Sequence, residues 1–312
     1  MTATTTAPIA APSVHTEKRP SGRMRAWATR APLLPALIFM IAVTQLPFVA
    51  TLVISFFDWN SLYPDARSFT GFGNYSEVLT DAALRKSVWT TILLTVTVVL
   101  ASLILGLVLA LLLDRKFRGR GVVRTLLIAP FLVVPVAAAL LWKHVLYNPE
   151  YGLLNGLLHY VGGPEPDWIS NTPLLAVEMS LVWQWTPFMM LILLAGLQSR
   201  DHQQIEAAKV DGASDWQVFR YLTLPHLRRY LELGALLGSI YIVQNFDAVF
   251  TITSGGLGTA NLPYTVYQSF YQAHENGLAS AAGVLVVIGS IIIATFALRV
   301  VSSLFREEVG RA

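Results

Sequence analysis

Long apolar runs alternate with polar segments along most of the chain. Six of these runs approach or exceed the ~20 residues that a helix needs to cross a bilayer. They lie at about 33–56, 88–113, 122–146, 174–198, 229–253 and 278–304. The pattern predicts an all-α integral membrane protein with six transmembrane helices. A soluble protein is disfavoured, because a soluble fold of this size has no interior large enough for so many long apolar helices.

The segments that flank the apolar runs are polar and short. Residues 1–32 are rich in Thr, Ala, Pro and Arg, a composition that predicts a disordered tail. A cleaved signal peptide fits poorly, because this tail is too long and the apolar run behind it is too extended. We therefore expect a tail at 1–32, a membrane domain at 33–305 and a second short tail at 306–312.

Composition and charge agree with this division and give it an orientation. Hydrophobic residues make up 54% of the chain and charged residues only 13%, about half of the roughly 25% that soluble proteins carry. Eighteen of the 22 Lys and Arg residues fall in the first tail, the loops after the second and fourth runs, and the C-terminal end. Basic residues mark the cytoplasmic side of a membrane, so we expect a multi-pass bacterial plasma-membrane protein with both termini in the cytoplasm.

One polar segment on the predicted cytoplasmic side has a helical pattern of its own. Residues 206–225 read EAAKVDGASDWQVFRYLTLP. They predict a helix, a turn at Gly212, a second helix capped by Ser214 or Asp215, and an end at Pro225. From the residues alone, an amphipathic helix resting on lipid headgroups is an equally good interpretation.

This segment resembles the EAA loop of the permeases of ATP-binding-cassette importers. That pattern is Glu-Ala-Ala, three residues, Gly, nine residues, Ile, one residue and Leu-Pro; Leu222 stands here in the place of Ile. Four further segments extend the resemblance to carbohydrate permeases of this class. They are FTGFGNY, RGRGVVRTLLIAP, WTPFMMLILLAGL and ITSGGLGTANLPYTVYQSFYQ. Within the class, the chain is most similar to the larger membrane subunit of the maltose importer and to the sorbitol/mannitol subgroup.

The resemblance implies a type I importer permease fold, with a cytoplasmic coupling loop at 199–228 that docks on a separate ATPase. The residues expected to couple to that ATPase are Glu206, Ala207, Ala208, Asp211, Gly212, Leu224 and Pro225. The chain has no phosphate-binding loop of its own, so it is expected to be a transport subunit and not an enzyme. ATP and Mg would be bound by the partner ATPase, and no cofactor is expected in this chain.

The same resemblance implies several partners. They are a second permease, two ATPase copies and an extracytoplasmic solute-binding protein, and the likeness to one member of a permease pair favours a heterodimer. A carbohydrate, either a sugar alcohol or a di- or oligosaccharide, is the expected cargo. Membrane lipid surrounds the chain, and no nucleic acid is expected.

Two clusters of polar and aromatic residues inside the fourth and fifth runs are candidates for the substrate site. Such residues face a cavity or hold neighbouring helices together, and from the residues alone both interpretations stand. Helical spacing places the first cluster on one side of its helix; in the second cluster, the first three residues share a face and the fourth lies partly round from it. The candidates are Gln184, Trp185, Phe188, Tyr241, Gln244, Asn245 and Asp247.

The resemblance to the maltose permease places substrate contacts at five of these candidates, Gln244 and Asp247 excepted. Two positions at which that permease has Asn are Leu181 and Ile242 here. The cargo therefore need not be maltose.

The rival hypothesis is a secondary sugar transporter driven by an ion gradient. Glu178, in the fourth run, is its candidate ion or proton site, although we expect this side chain to reach the outer interface. Such a transporter also calls for inverted repeats, and none is evident. The histidines are scattered and cysteine is absent, so neither a metal site nor a catalytic cluster is predicted. Trp142, Tyr147 and Trp168 suit an outer interfacial belt.

Overall fold

The structure is a computed structural model and describes residues 31–309. The expected tail at 1–32 therefore falls almost entirely outside it, whereas residues 306–309 of the expected tail at 306–312 belong to the last helix. Five helices have 20 residues or more: α1 (Leu34–Ile54), α3 (Ala82–Asp114), α8 (Pro173–Gln198), α11 (Leu224–Val243) and α14 (Asn276–Val309). Shorter helices are α2 (Gly73–Thr80), α4 (Arg120–Leu132), α5 (Pro135–Leu141), α6 (Leu153–Tyr160), α7 (Trp168–Asn171), α9 (His202–Val210), α10 (Asp215–Val218), α12 (Asp247–Ile252) and α13 (Leu262–Tyr267).

Other regular elements are short. The 3₁₀ turns are Ala31–Leu33 and Pro64–Ala66, and the π-helical turns are Trp142–Leu146, Phe219–Thr223 and Gln268–Gln272. Strands β1 (Phe57–Asp58) and β2 (Ser68–Phe69) form one antiparallel pair, with Phe57 opposite Phe69.

The chain divides into two compact units, residues 1–50 and 51–312. In the described part of the first unit, α1 is an apolar helix whose side chains are almost all exposed, as suits a helix surrounded by lipid. The second unit contains the rest of α1 and all the later elements.

The long helices agree with four of the expected spans. Within the described residues, length and composition identify α1, α3, α8 and the first part of α14 as able to cross a membrane. A fifth span is found if the bent pair Arg120–Leu132 and Pro135–Leu146 counts as one. The fold is the expected all-α membrane architecture, and the count of six spans stays a prediction.

Two expected spans are interrupted, so the prediction of continuous helices over 122–146 and 229–253 is wrong. The first bends by 101° where the extended residues Val133 and Val134 precede Pro135, because proline lacks an N–H and forces its neighbour out of the helical region. The second stops at Val243 and resumes at Asp247.

The core of the second unit lies where α3, α8 and α11 pack closely. Met189 of α8 is completely buried between glycines of the other two helices. A Cβ at Gly106 of α3 would lie 2.8 Å from Met189 Cβ, and one at Gly238 of α11 would lie 2.4 Å from Met189 Cε. At Gly106 the neighbours are Met189 Cβ and the Met190 backbone, so only glycine permits this approach, whereas at Gly238 the neighbour is the flexible end of Met189. The close approach at Gly106 agrees with the role of small residues in helix packing within membranes.

The aromatic belt expected at the outer interface is wrong for two of its three residues. Trp142 is 7% and Tyr147 0% exposed, and they pack against each other with ring centroids 5.2 Å apart. The Tyr147 hydroxyl donates to Ala176 O at 2.7 Å. Half-buried Trp168 donates from Nε1 to Asn155 Oδ1 at 2.8 Å. The polar atoms of Tyr147 and Trp168 thus have partners inside the protein, which a pattern of aromatic residues does not reveal.

Candidate functional site

The loop between α8 and α11 contains two helices joined by a tight turn. Asp201 accepts a hydrogen bond from Gln203 N and caps α9. Gly212 then adopts a φ of +87°, the left-handed conformation that ends many helices. Its N–H donates to Lys209 O at 3.1 Å, and Ala213 N donates to Ala208 O at 2.9 Å. This pair of bonds closes α9 and explains why glycine occupies position 212.

The second helix of the loop begins with a reciprocal cap. Ser214 Oγ accepts from Gln217 N at 3.3 Å, while Gln217 Oε1 accepts from Ser214 N at 2.7 Å. The predicted helix–turn–helix is therefore present, with Ser214 as the cap. The prediction that Pro225 ends the segment is wrong: α10 continues through a π-helical turn into α11, and Pro225 stands in the first turn of α11. Proline is well tolerated there, where its missing N–H is not needed.

The surface of this loop is exposed and partly apolar. Val210, Trp216 and Tyr221 are 87%, 69% and 71% exposed. A hollow of about 390 Å³ lies beside them, lined by Ala208, Asp211, Gly212, Ala213, Gln217, Val218, Tyr221 and Leu222. Exposed Glu206 and Ala207 lie on the same helix as Ala208. Large exposed apolar side chains around a hollow are typical of a protein-binding surface.

An ion pair links the two short helices. Lys209 Nζ lies 2.9 Å from Asp215 Oδ1. The hydrogen bond and charge of Lys209 lower the pKa of the Asp215 carboxyl from its ordinary value. Both side chains are well exposed, so solvent screens the pair and its effect on stability is small.

The second candidate region lies where α4 and α5 bend next to α8. Gln184 is 7% exposed and donates from Nε2 to Val133 O at 3.3 Å. This carbonyl belongs to the extended pair before Pro135 and has left the helical hydrogen-bond pattern. Gln184 therefore supports the bend, which is the structural alternative considered for this residue.

Four aromatic rings surround this point. Phe131 stacks on Phe188 with centroids 5.3 Å apart and an interplanar angle of 24°. Trp185 stacks on Tyr241 at 5.1 Å and 29°, and also meets Phe131 edge-on at 5.7 Å. Tyr241 is 54% exposed. Phe131, Trp185, Phe188 and Tyr241 together are called the aromatic cluster below.

Phe131 did not emerge from the sequence as a site residue. It lies in an apolar run with no polar residue beside it, on α4, which packs along α8. Its position next to Pro130 and shortly before Pro135 is the one signal that points to irregular backbone there.

The break after α11 is held by side chains distant in sequence. Asn261 Nδ2 donates to Asn245 O at 2.6 Å, and Asn261 Oδ1 accepts from Tyr264 N at 3.1 Å. Asn245 Oδ1 accepts from Ala248 N at 3.4 Å, in the first turn of α12. Lys143 Nζ donates to Thr251 O at 2.8 Å, near the other end of α12. The break is therefore stabilised by hydrogen bonds from side chains to its backbone and to the backbone of α12.

The break also separates residues expected to share a face. Tyr241 contacts Trp185, but Gln244 lines a different groove, between α11 and α14, with Ile240 and Ser290. The prediction of one face for Tyr241, Gln244 and Asn245 is wrong, because the helix that would align them ends at Val243. Asp247, half-buried, opens α12, where the helix N-terminus favours a carboxylate.

Glu178 lies between helices. Its Oε1 accepts from the Thr97 hydroxyl of α3 at 2.6 Å. Both residues line an apolar cavity of about 720 Å³ between α3, α4 and α8.

Long apolar helices, two interrupted spans and an exposed polar loop define a multi-pass membrane transport protein. Residues 102–307 match the family of inner membrane components of binding-protein-dependent transport systems. The chain belongs to this family, and it is a transport subunit and not an enzyme. This membership does not support the ion-driven alternative.

Several individual proteins are similar to the chain. A probable ABC transporter permease protein, y4oQ, of Sinorhizobium fredii is 35% identical over 292 residues, covering 92% of this chain and 93% of the relative. The trehalose/maltose transport system permease protein MalF of Thermococcus litoralis is 33% identical over 260 residues, covering 82% and 87%. The trehalose transport system permease protein SugA of Mycobacterium tuberculosis is 32% identical over 262 residues, covering 84% of each chain.

The fold has a solved counterpart. A chain in the crystal structure of a bacterial alginate ABC transporter, in complex with a pentasaccharide-bound periplasmic protein, aligns with a TM-score of 0.77. It is 20% identical, and the alignment covers 91% of this chain and 96% of that one. At this identity the likeness shows the fold.

Proposed function

We propose that the chain is a permease subunit of an ATP-driven importer that moves a carbohydrate, delivered by an extracytoplasmic binding protein, by alternating access. The relatives named for trehalose and maltose transport support the cargo class. The observation that carries the proposal is the stacked pair of Trp185 and Tyr241, half-exposed beside an interrupted helix. Aromatic faces next to a few hydrogen-bonding groups are what a neutral polyhydroxylated ligand requires.

The proposed substrate site consists of Trp185, Phe188, Tyr241 and Asn245, with Phe131 added by its contact with Phe188. Gln184 acts there as a support for the bend at Val133. Gln244 and Asp247 stay in the proposal as polar groups on either side of the break. The cargo is a sugar alcohol or a di- or oligosaccharide.

The loop 199–228 is proposed to dock on the ATPase. Its exposed Val210, Trp216 and Tyr221, around the hollow beside Gly212, suit insertion into a partner's groove. In this proposal Glu206 gives the docking helix its charge. The small residues Ala207 and Ala208 allow close approach, Asp211 and Gly212 shape the turn, and Leu224 and Pro225 lead into α11.

The proposed assembly has this chain paired with a different permease, two ATPase copies on the cytoplasmic side and the binding protein on the other. Both termini are proposed to be cytoplasmic, which the distribution of basic residues supports. Residues 1–32 and 306–312 are proposed as tails of a membrane domain at 33–305. ATP and Mg belong to the ATPase partner.

Uptake by the reconstituted assembly tests the cargo and the energy source together. Liposomes containing both permeases and the ATPase are given the binding protein and a panel of radiolabelled sugars and sugar alcohols, with ATP inside. We expect uptake of at least one carbohydrate that requires ATP and continues when ionophores collapse ion gradients. Uptake that follows an ion gradient without ATP would refute the proposal.

Hydrolysis of ATP tests the loop. Glu206→Lys and Gly212→Pro are expected to abolish substrate-stimulated hydrolysis while the chain still inserts and pairs with its partner permease. Gln204→Lys, on the same exposed helix, is the matched control and should hydrolyse ATP normally. Normal stimulation in both loop variants would remove the docking role.

A further inference from the structure

Arg200 binds three chain segments at once. It lies just after α8 and donates from Nε to Leu197 O at 2.9 Å. Its Nη1 donates to Thr223 Oγ1 at 2.9 Å, and its Nη2 to Asp114 Oδ2 at 2.5 Å. Asp114 is the last residue of α3, and Thr223 is the last residue of the π-helical turn before α11. One guanidinium thus fastens the ends of α3, α8 and the loop.

This contact is largely hidden from solvent. The Arg200 and Asp114 side chains are 13% and 23% exposed, and Thr223 is 2% exposed. Removing one member of a buried charge pair leaves the other charge uncompensated. The geometry also calls for arginine, because a planar fork with five N–H donors can serve three acceptors, whereas a lysine ammonium is a single point of charge.

Each end of this contact leads to a proposed functional part. Thr223 lies in the C-terminal part of the loop 199–228 that is proposed to dock on the ATPase. Asp114 terminates α3, a helix of 33 residues, and near its other end the Thr91 hydroxyl accepts from Leu262 N at 2.9 Å. Leu262 adjoins Asn261, whose side chain holds the break at Asn245. One rigid helix therefore lies between the loop and the interrupted span.

We propose that Arg200 is a positioning residue that makes α3 move with the loop, so that displacement of the loop by the ATPase reaches the segment holding the break. This inference rests on the proposed docking role of the loop and goes beyond it, by assigning the transmitting contact. Arg200 contacts neither cargo nor ATP in this proposal; it acts through Asp114 and Thr223.

The test is the ratio of carbohydrate imported to ATP hydrolysed, in the reconstituted assembly described above. Arg200→Gln and Asp114→Asn should each lower this ratio about tenfold, within the range of typical coupling between sites, with basal hydrolysis and assembly retained. Arg200→Lys keeps the charge pair and should recover part of the ratio. Arg118→Gln, an exposed arginine in the loop after α3, is the matched control and should behave as wild type.

A distance measurement separates transmission from simple stability. The chain has no cysteine, so cysteines introduced at the exposed positions Lys116 and Gln204 can be spin-labelled selectively. We expect one narrow distance distribution with and without ATP in the otherwise wild-type assembly. In Arg200→Gln the distribution should broaden or shift when ATP is added, because α3 no longer follows the loop.

Two results would overturn the inference. One is an unchanged transport ratio and distance in Arg200→Gln; the other is loss of ATPase binding in that variant, which would make Arg200 part of the docking site. If Glu206→Lys still abolishes stimulated hydrolysis while Arg200→Gln leaves the transport ratio and the distance unchanged, only this inference fails. If both variants behave as wild type in their respective measurements, the proposed docking role of the loop is refuted together with this inference.

Discussion

The loop between α8 and α11 and the break after α11 are both irregular, yet they are held in different ways. In the loop, the bonds that close α9 and open α10 join residues three to five positions apart, such as Ala213 to Ala208. At the break, Asn261 reaches back 16 positions to Asn245, and Lys143 reaches 108 positions forward to Thr251. The two short helices of the loop and the turn between them are encoded locally, whereas the break exists only once the long helices have packed.

This difference predicts how each region responds to mutation. Substitutions in the loop should impair contact with a partner while leaving the membrane domain folded. Substitutions of the distant side chains that hold the break, such as Asn261, should disturb the fold of the membrane domain itself. The four predictions that follow test this distinction, beginning with the largest expected effect.

Asn261→Ala should be the most damaging change. It removes the bond to the Asn245 carbonyl and the cap on Tyr264 N, each typically worth about 1–2 kcal/mol. We expect a loss of roughly 3 kcal/mol in unfolding free energy, seen as a lower Tm of the detergent-purified chain, together with loss of uptake. Asn261→Asp keeps the cap acceptor but sets a buried carboxylate against the Asn245 carbonyl, so it should not restore the Tm. Equal Tm values for Asn261→Ala and wild type would contradict the idea that the break is held from a distance.

Trp185→Ala should weaken cargo handling with a smaller effect on the fold. The stacked Trp185–Tyr241 pair presents the ring face on which the proposal depends, and an aromatic contact of this kind contributes about 0.5–1.5 kcal/mol beyond area burial. We expect an approximately tenfold rise in the carbohydrate concentration for half-maximal uptake. The exposed Trp89→Ala, on α3, is the control. Asn245→Leu should likewise lower uptake without loss of assembly, and unchanged uptake would remove Asn245 from the site.

Gly212→Ala tests the local encoding of the loop. No atom lies within 4 Å of the position that a Cβ would take, so the substitution meets no steric obstacle. The φ of +87° nevertheless costs a side-chain-bearing residue about 1 kcal/mol. Stimulated ATP hydrolysis should fall several-fold while the Tm of the membrane domain stays unchanged. Gly121→Ala, within α4 and equally unobstructed, should leave hydrolysis intact.

Asp215→Asn should have the smallest effect. Lys209 lowers the Asp215 pKa in the folded chain, so the pair favours the folded state above the ordinary carboxyl pKa and loses this contribution as the pH falls through the lowered value. Because the pair is exposed, the Tm difference from wild type should be barely resolvable at neutral pH and absent in acid. A large Tm difference that survives high salt would show that the loop is more tightly organised than its exposure suggests.

The loop could be predicted from the sequence because its signals are local. Gly212, Ser214 and the Glu-Ala-Ala triplet stand at fixed spacings, and each acts on neighbours within a turn or two. Only the role of Pro225 was mistaken, since proline suits the first turn of a helix as well as the residue after one.

The site in the membrane could be predicted only in part. Trp185 and Tyr241 were identified as candidates, and the structure brings their rings together. Hydropathy cannot distinguish a continuous span from one broken at residues 244–246, because the interrupting residues lie among apolar neighbours. The separation of Gln244 from Tyr241 depends on that break, and the contact of Phe131 with Phe188 depends on how α4 packs on α8.

The interruption at residues 244–246 also restricts what can surround this side of the chain. Lipid tails offer no hydrogen bonds, so irregular backbone at membrane depth is tolerated only beside protein or water. Asn261 covers one side of it, while Gln244, its first residue, is exposed. In the bilayer that exposed side must therefore adjoin another protein chain or a hydrated passage. Lipid is thus excluded from the surface of the chain around residues 244–246.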